Sequence, residues 1–451
     1  MRRRDFLLAG AGWALLGRAR ASQALKIRGP LVSPDSPEYE TLCQWFNPEV
    51  QWRPEAFAFP LDEEEVAACL SWAAQNGKSV AVRCGGHSYV GLSGGTGLVL
   101  DVSRLVDLQL DEQLNLGAGW KLGPLMSALA ERQRMLPLGT CPGVGLSGYL
   151  LGGGYGLVSR ALGLGCDRVL DATLVTPALG LVQATTQDSL LWALKGSGFG
   201  QFGVVTRWRL RPEALRPVVL FRRYWPWAQA QAVLERWLEW APRADARITS
   251  YLSLVGGREP QVSVGGLFLG DGPEWKSLRW GPPGALQEWD RSCPYLDAMQ
   301  FLAGRSQNRS PAFAATSDFL SRPLAPAAQG KLLKLLVTTA PCSPQVTFDA
   351  YGGNLGSGDG AFVHRASLAC VQAICYRNRN QPPGVNHDWL KRYRAELAGH
   401  YSGRAYQNYC ELGRSDWKTA YFGEDWPRLV ALKERFDPQG ILQHPLSFQR
   451  L

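Results

Sequence analysis

Histidine is scarce in this chain: five residues in 451, with only four methionines. No His/Cys cluster has zinc-ligand spacing and no CxxC occurs, which argues against a structural metal site. Beyond residue 25 no apolar run reaches the roughly 18–20 residues that a membrane helix needs. There is no heptad array, no solenoid repeat and no charged low-complexity tail. With 45% hydrophobic and 19% charged residues, the chain can bury a sizeable core and is not globally disordered. Its length suggests two or three domains or lobes.

The net charge of +9 is weak evidence for a nucleic-acid partner. Five arginines against Asp5 give the first 21 residues +4, which leaves +5 for the remainder. Those 21 residues read as an address. Arg3-Arg4-Asp5-Phe6-Leu7-Leu8 is a twin-arginine pattern, the apolar stretch Leu7 to Leu16 is too short to stop in a bilayer, and Ala19-Arg20-Ala21 is a small-x-small cleavage pattern. The expectation is export to the periplasm or outside the cell by a route that carries folded, cofactor-loaded proteins. Export permits disulfides, but the spacing of the ten cysteines does not give their connectivity.

Glycine is concentrated, with 24 of 50 in residues 85–203. Around this region the patterning predicts a helix over 62–76 ended by Gly77, strands over 78–83 and 97–102, a helix over 123–134 and a strand over 204–210. From about residue 213 tryptophans become frequent, and short strands (248–254, 261–269) alternate with helices such as 228–240. A helix over 426–435 stops at Asp437-Pro438-Gln439-Gly440. Two matches to GxGxxG occur, Gly143–Gly148 and Gly198–Gly203. Neither follows a buried strand and opens a helix, as a Rossmann fingerprint must. The runs Gly152-Gly153-Gly154-Tyr155-Gly156 and Gly196–Gly200 still read as a backbone cradle for an anion such as a pyrophosphate, against the alternative of tight turns.

Arg83-Cys84-Gly85-Gly86-His87-Ser88-Tyr89 places a histidine in a glycine turn after a strand, and Cys141-Pro142-Gly143-Val144-Gly145 places a cysteine among small residues. With Gly152–Gly156 and the C-terminal Gln407-Asn408-Tyr409, Tyr421-Phe422-Gly423 and Asp437-Pro438, these resemble the berberine-bridge-enzyme-like FAD-linked oxidases of the vanillyl-alcohol-oxidase (PCMH-type) flavoproteins, from about residue 36 to 448. The resemblance implies an α+β fold: a two-part PCMH-type FAD-binding domain (36–212, joined by the returning segment 401–451) and a substrate domain (213–400) whose antiparallel sheet is backed by helices. It implies FAD held by two covalent bonds, His87 to the 8-methyl carbon and Cys141 to ring carbon C6. Imidazole and thiolate are suited to attack that electron-poor edge. Further FAD contacts implied are Arg83, Gly85, Gly86, Ser88, Gly145, Gly148, Gly153, Gly154, Val205 and Asn408.

The resemblance also implies hydride transfer from substrate to flavin N5, with Tyr409 as base. A tyrosine with the ordinary pKa of about 10 would need a nearby cation or hydrogen-bond donors for this. The alternative is a buried tyrosine with a satisfied hydroxyl. Gln372 either lines the site or faces solvent. By the same resemblance, Val144, three residues after Cys141, leaves room for oxygen, favouring an oxidase that makes peroxide over a dehydrogenase with another acceptor. A flavin-binding protein without turnover is the non-enzymatic alternative. The family's arginine-aspartate after Asn-Tyr is replaced by Cys410-Glu411. The expected protein is a monomer acting on a small hydroxyl-bearing molecule, a sugar or oligosaccharide or a secondary-metabolite alcohol. It has no nucleic-acid partner and no membrane span.

Overall fold

A computed structural model describes residues 24–278, 281–304, 310–337 and 342–448. The proposed export signal lies outside the described residues. In the first half, the helix Glu63–Asn76 begins where the Asp62 side chain accepts from the Glu65 amide, 3.0 Å, and ends at Gly77 in the left-handed region. Its Val66, Cys69, Leu70 and Ala73 are buried. It packs on a four-stranded sheet ordered Leu31–Val32, Ala56–Ala58, Leu98–Asp101, Val80–Arg83, in which the last three strands run parallel. All four residues of Leu98–Asp101 are buried, as a central parallel strand requires.

A second sheet has five antiparallel strands, ordered Leu108–Leu110, Leu114–Gly117, Val204–Leu210, Val169–Thr176, Gly180–Ala184. Both GxGxxG matches sit in other settings than a Rossmann turn. Gly145 caps the short helix Leu146–Leu151, but a loop precedes it. The second match leads from the helix Ser189–Leu194 into the strand Val204–Leu210, the reverse order.

Residues 217–377 build a seven-stranded antiparallel sheet, ordered Gln287–Pro294, Pro217–Trp225, Gln261–Leu269, Ile248–Val255, Ser343–Ala350, Ala369–Arg377, Ala312–Leu320. Strand side chains alternate between faces. One face carries Phe221, Leu252, Leu254, Val264, Val346, Phe348, Val371 and Ala373. It forms a core with Leu234 and Trp237 of the helix Ala230–Trp240, Leu332 of Pro326–Val337 and Trp389 of Val385–Leu397. The opposite face is polar along two rows that the strand register aligns. One runs Arg222, Gly265, Tyr251, Asp349, Cys370, Phe319; the next runs Tyr224, Ser263, Ser253, Thr347, Gln372, Ser317.

Two buried cations tie distant parts of the chain together. Lys433, in the helix Trp426–Phe436, donates to Gln201 O and Leu442 O, 2.9 Å each, and to Asp437 Oδ2, 2.6 Å. The Asp437 carboxylate in turn accepts from the amides of Ile441 and Leu442. This sets residues 441–443 against Val80, whose amide donates to Ile441 O and whose carbonyl accepts from Gln443. The turn expected only to stop the helix therefore also docks the chain end. Arg160, in the short helix Ser159–Leu162, is 1% exposed. Its guanidinium donates to the carbonyls of Tyr351, Asp245, Ile248, Pro242 and Ala244. Burial lowers its pKa, so the five carbonyls are what keep the charge tolerable.

Replacing this arginine by an apolar residue strands five acceptors. Arg160→Met is expected to lower unfolding stability by at least about 3 kcal/mol, measured by denaturant titration. A loss below about 1 kcal/mol would show that water substitutes for the guanidinium.

Candidate active site

One cavity of about 550 Å³ runs between the glycine-rich half and the polar face of the seven-stranded sheet. Its wall includes His87, Cys141, Val144, Gly145, Gly148, Val205, Asn408 and Tyr409, together with Gly85, Gly86 and Ser88. The turns bearing His87 and Cys141 meet there because their backbones touch. A Cβ on Gly85 would stand 2.2 Å from Gly145 N, and one on Gly145 would stand 2.3 Å from Gly85 N. No other residue allows that approach.

His87 stacks on Phe46 with ring centroids 4.4 Å apart, which fixes the imidazole plane. Burial, helped by the charge of Lys121, lowers its pKa to about 4. The ring is therefore neutral at pH 7 and keeps a nitrogen lone pair. The neighbouring Cys84 also reaches the wall, but its Sγ bonds Ala118 O at 3.3 Å and burial pushes its thiol up to about 12. It behaves as a packing residue.

Tyr406 acts as a hub. Its hydroxyl accepts from the amides of Gly154 and Tyr155, 3.2 Å each, and from Asn408 Nδ2, 3.1 Å. Asn408 Nδ2 also donates to Tyr149 O and fills the space over Gly152, where a Cβ would lie 2.1 Å from its Oδ1. Tyr409 stacks on Tyr89 at 5.8 Å, and Tyr89 accepts from Gln372 Nε2 at 2.8 Å. Burial, and after it the charge of Asp349, raise the Tyr409 pKa well above the ordinary tyrosine value. No cation stands among these influences; a tyrosine base needs either a cation or hydrogen-bond donors to act near neutral pH.

Asp349 is the group that sequence reasoning missed. It lines the cavity from the strand Ser343–Ala350, and burial raises its carboxyl to about 7. Its sequence signal was a lone acid between Phe348 and Ala350 in an alternating strand. His444 is a second omission; it lines the wall, bonds Phe199 O through Nε2 at 2.8 Å and is held near 4 by burial.

Four expected contacts fall elsewhere. The Arg83 guanidinium turns away from the cavity to Asp101, 2.5 Å, and Leu42 O, and lies over the Phe57 ring, because its strand alternation points it into the neighbouring cluster. Gly153 and Gly154 are absent from the wall. They adopt φ of +105° and +82° and make room for Phe362 and Tyr149, so crowding rather than cofactor approach explains them. Gln372 lies on the polar face but reaches the cavity only through Tyr89.

The cavity's chemistry fits FAD. Its wall is largely apolar side chains and glycine backbone. A Cβ at Gly148 or Gly200 would meet nothing within 4 Å, so both backbones face open space. Residues 54–186 match the FAD binding domain family, and residues 405–448 match the family described as berberine and berberine like. The chain is 27% identical to an uncharacterised FAD-linked oxidoreductase of Bacillus subtilis, YgaK, over 94% of this chain and 98% of that one. It is 26% identical to a xylooligosaccharide oxidase of Thermothelomyces thermophilus, over 96% and 95%. The solved structure of a berberine-bridge-enzyme-like 1 variant from Physcomitrella patens superposes with a TM-score of 0.85 at 25% identity, covering 94% of this chain and 97% of that one. Joined to a cavity of this shape and to an α+β fold shared over 94% of the chain, these matches make it similar, along most of its length, to berberine-bridge-enzyme-like FAD-linked oxidoreductases.

Proposed function

We propose that this protein is an exported oxidase that holds FAD through both His87 and Cys141 and oxidises a hydroxyl-bearing substrate, a sugar or oligosaccharide or a secondary-metabolite alcohol. The observation that carries this reading is the convergence of His87, Cys141, Tyr409 and Asp349 on one cavity. In this reading residues 36–212 and 401–451 hold the cofactor and residues 213–400 hold the substrate. Relatives named for xylooligosaccharide oxidation and for monolignol oxidoreduction support the two substrate classes. A Cys342–Cys375 disulfide on the helix-covered face of the large sheet suits the oxidising compartment that the twin-arginine pattern suggests.

FAD, when bound, would accept the hydrogen on the carbinol carbon with its electron pair and pass two electrons to oxygen, giving hydrogen peroxide. The chain's own groups handle the proton. Tyr409 is kept protonated by burial, so it cannot act as a ready-made phenolate at pH 7. It orients the substrate hydroxyl, and Asp349, poised near neutrality, takes the proton directly or through Tyr409. Gln372 and Tyr89 hold the Tyr409 ring in place. His87, kept neutral by burial, and Cys141 retain the cofactor, which leaves the cavity free to stay open to bulky substrates. Val144 on the wall leaves space for oxygen.

Protein precipitated with acid and washed should remain yellow, and His87→Ala with Cys141→Ala should release its colour to the supernatant. Colour lost from the parent protein would refute the tether. Tyr409→Phe should keep the flavin but slow its reduction by substrate by about 10²–10⁴-fold in stopped flow. Unchanged reduction would remove Tyr409 from the chemistry.

Asp349 predicts two pH effects with one cause. Its folded carboxyl keeps a proton that the unfolded chain has lost between about pH 4 and 7, so stability falls as pH rises through that window. About three pH units at 1.4 kcal/mol per unit bound the effect at about 4 kcal/mol. Asp349→Asn should flatten the thermal-stability profile there. In the parent enzyme flavin reduction should slow below about pH 7 as Asp349 protonates. A parent profile flat from pH 5 to 8 would exclude Asp349 as the proton acceptor.

A further inference from the structure

The sheet side of the cavity carries a cation that no acid among the described residues neutralises. Arg222 lines the cavity. Its Nη1 donates to the Tyr251 hydroxyl at 3.3 Å and its Nη2 to Ser263 Oγ at 3.1 Å. Its Nε is buried with no partner. The rings of Tyr224 and Tyr251 lie 5.2 and 5.9 Å from the guanidinium carbon. The next residue makes the contrast: Arg223, on the opposite face, pairs with Glu288 and Asp290 at 2.8 Å each. A half-buried guanidinium loses hydration, and only an anion with matching geometry restores what it loses.

The register shows why Arg222 faces the reacting end of the site. Arg222, Gly265, Tyr251 and Asp349 occupy one row on four adjacent strands. A Cβ on Gly265 would stand 2.7 Å from the Tyr251 ring, so the missing side chain is what lets that ring lie across the row. The guanidinium reaches over this gap to the Tyr251 hydroxyl. Strands lie about 4.8 Å apart, so three intervals put the Arg222 and Asp349 backbones roughly 14 Å apart. Tyr251 lines the interval, and the register sets Ser263 and Ser253 in the row beside it, with no apolar side chain in that stretch of the two rows.

Resting on the oxidase reading above, we infer that Arg222 is a specificity-determining residue that binds a carboxylate on the substrate. The preferred substrates are then acidic saccharides. The oxidised hydroxyl sits at the Tyr409–Asp349 end and the carboxylate sits on Arg222, a separation longer than one sugar ring.

The test compares cellobiose with cellobiouronic acid, which differs by one carboxylate. The parent enzyme should show a KM at least about tenfold lower for the acid, a preference that shrinks as salt is added. Arg222→Gln should raise the KM for the acid about tenfold, leave kcat within about twofold and leave cellobiose nearly unaffected. Arg222→Lys should restore part of the preference, since it keeps the charge but not the fork. Equal loss on both sugars, no preference in the parent, or a flavin spectrum altered before any ligand is added would overturn the assignment; the last would give Arg222 to the cofactor. Binding is read separately as the absorbance shift of the flavin on titration. If neither sugar reduces the flavin but only the parent binds the acid, Arg222 keeps its role while the proposed saccharide oxidation fails. If the parent does not bind the acid, the carboxylate site is refuted.

Discussion

The backbone contact between Gly85 and Gly145 is the constraint on which the site rests. Each glycine occupies space that the other's Cβ would need. Sequence places His87 and Cys141 more than fifty residues apart, and this contact makes them neighbours on one wall. It also fixes what lies behind them. Ser147, two residues beyond Gly145, donates to Ala118 O and accepts from Trp208, which anchors the second turn to the five-stranded sheet. The first turn is anchored one residue earlier by Cys84 to the same carbonyl. Two turns with almost no side chains thus inherit rigidity from a single acceptor in the scaffold.

The electrostatics of the cavity follow from burial more than from charge pairs. His87 and His444 are held neutral, Tyr409 is held protonated, and Asp349 is brought near the pH of use. Desolvation penalises whichever form is charged, so one physical effect pushes bases down and acids up. The result suits proton transfer in the dark of the protein, where a group must change charge at little cost. Arg222 is the exception, because a guanidinium does not give up its proton. It can only wait for an anion.

Local features were legible in the sequence, and features made by pairing distant strands were not. Asp62 announced the helix Glu63–Asn76 because a cap and its first turn are contiguous. His87 and Cys141 were readable because small neighbours in a turn are contiguous too. Gly153 and Gly154 looked the same but serve Phe362 and Tyr149, which come from elsewhere in the chain or earlier in it. A glycine reports that space is short, not what is short of it. Arg83 looked like part of the turn, yet strand alternation sends it to Asp101. Asp349, Arg222 and Tyr251 became one row only through the register of the large sheet, and no single segment carries that register. Arg160 met five carbonyls that all lie more than eighty residues away.

Chain order also decides when the site comes into being. Tyr406, Asn408 and Tyr409 stand near the end of the chain, and Lys433 with Asp437 docks the segment after them. Tyr406 holds the amides of Gly154 and Tyr155, while Ser317 of the large sheet donates to Tyr409 O and accepts from the Tyr406 amide. The wall is therefore closed by a piece that binds both halves at once. A partly made chain would have the His87 and Cys141 turns but neither Tyr409 nor the hub that pins the glycine loop. A cofactor enclosed by such a wall is best loaded after synthesis is complete. The export proposed above, by a twin-arginine route that passes folded proteins, would accommodate that order.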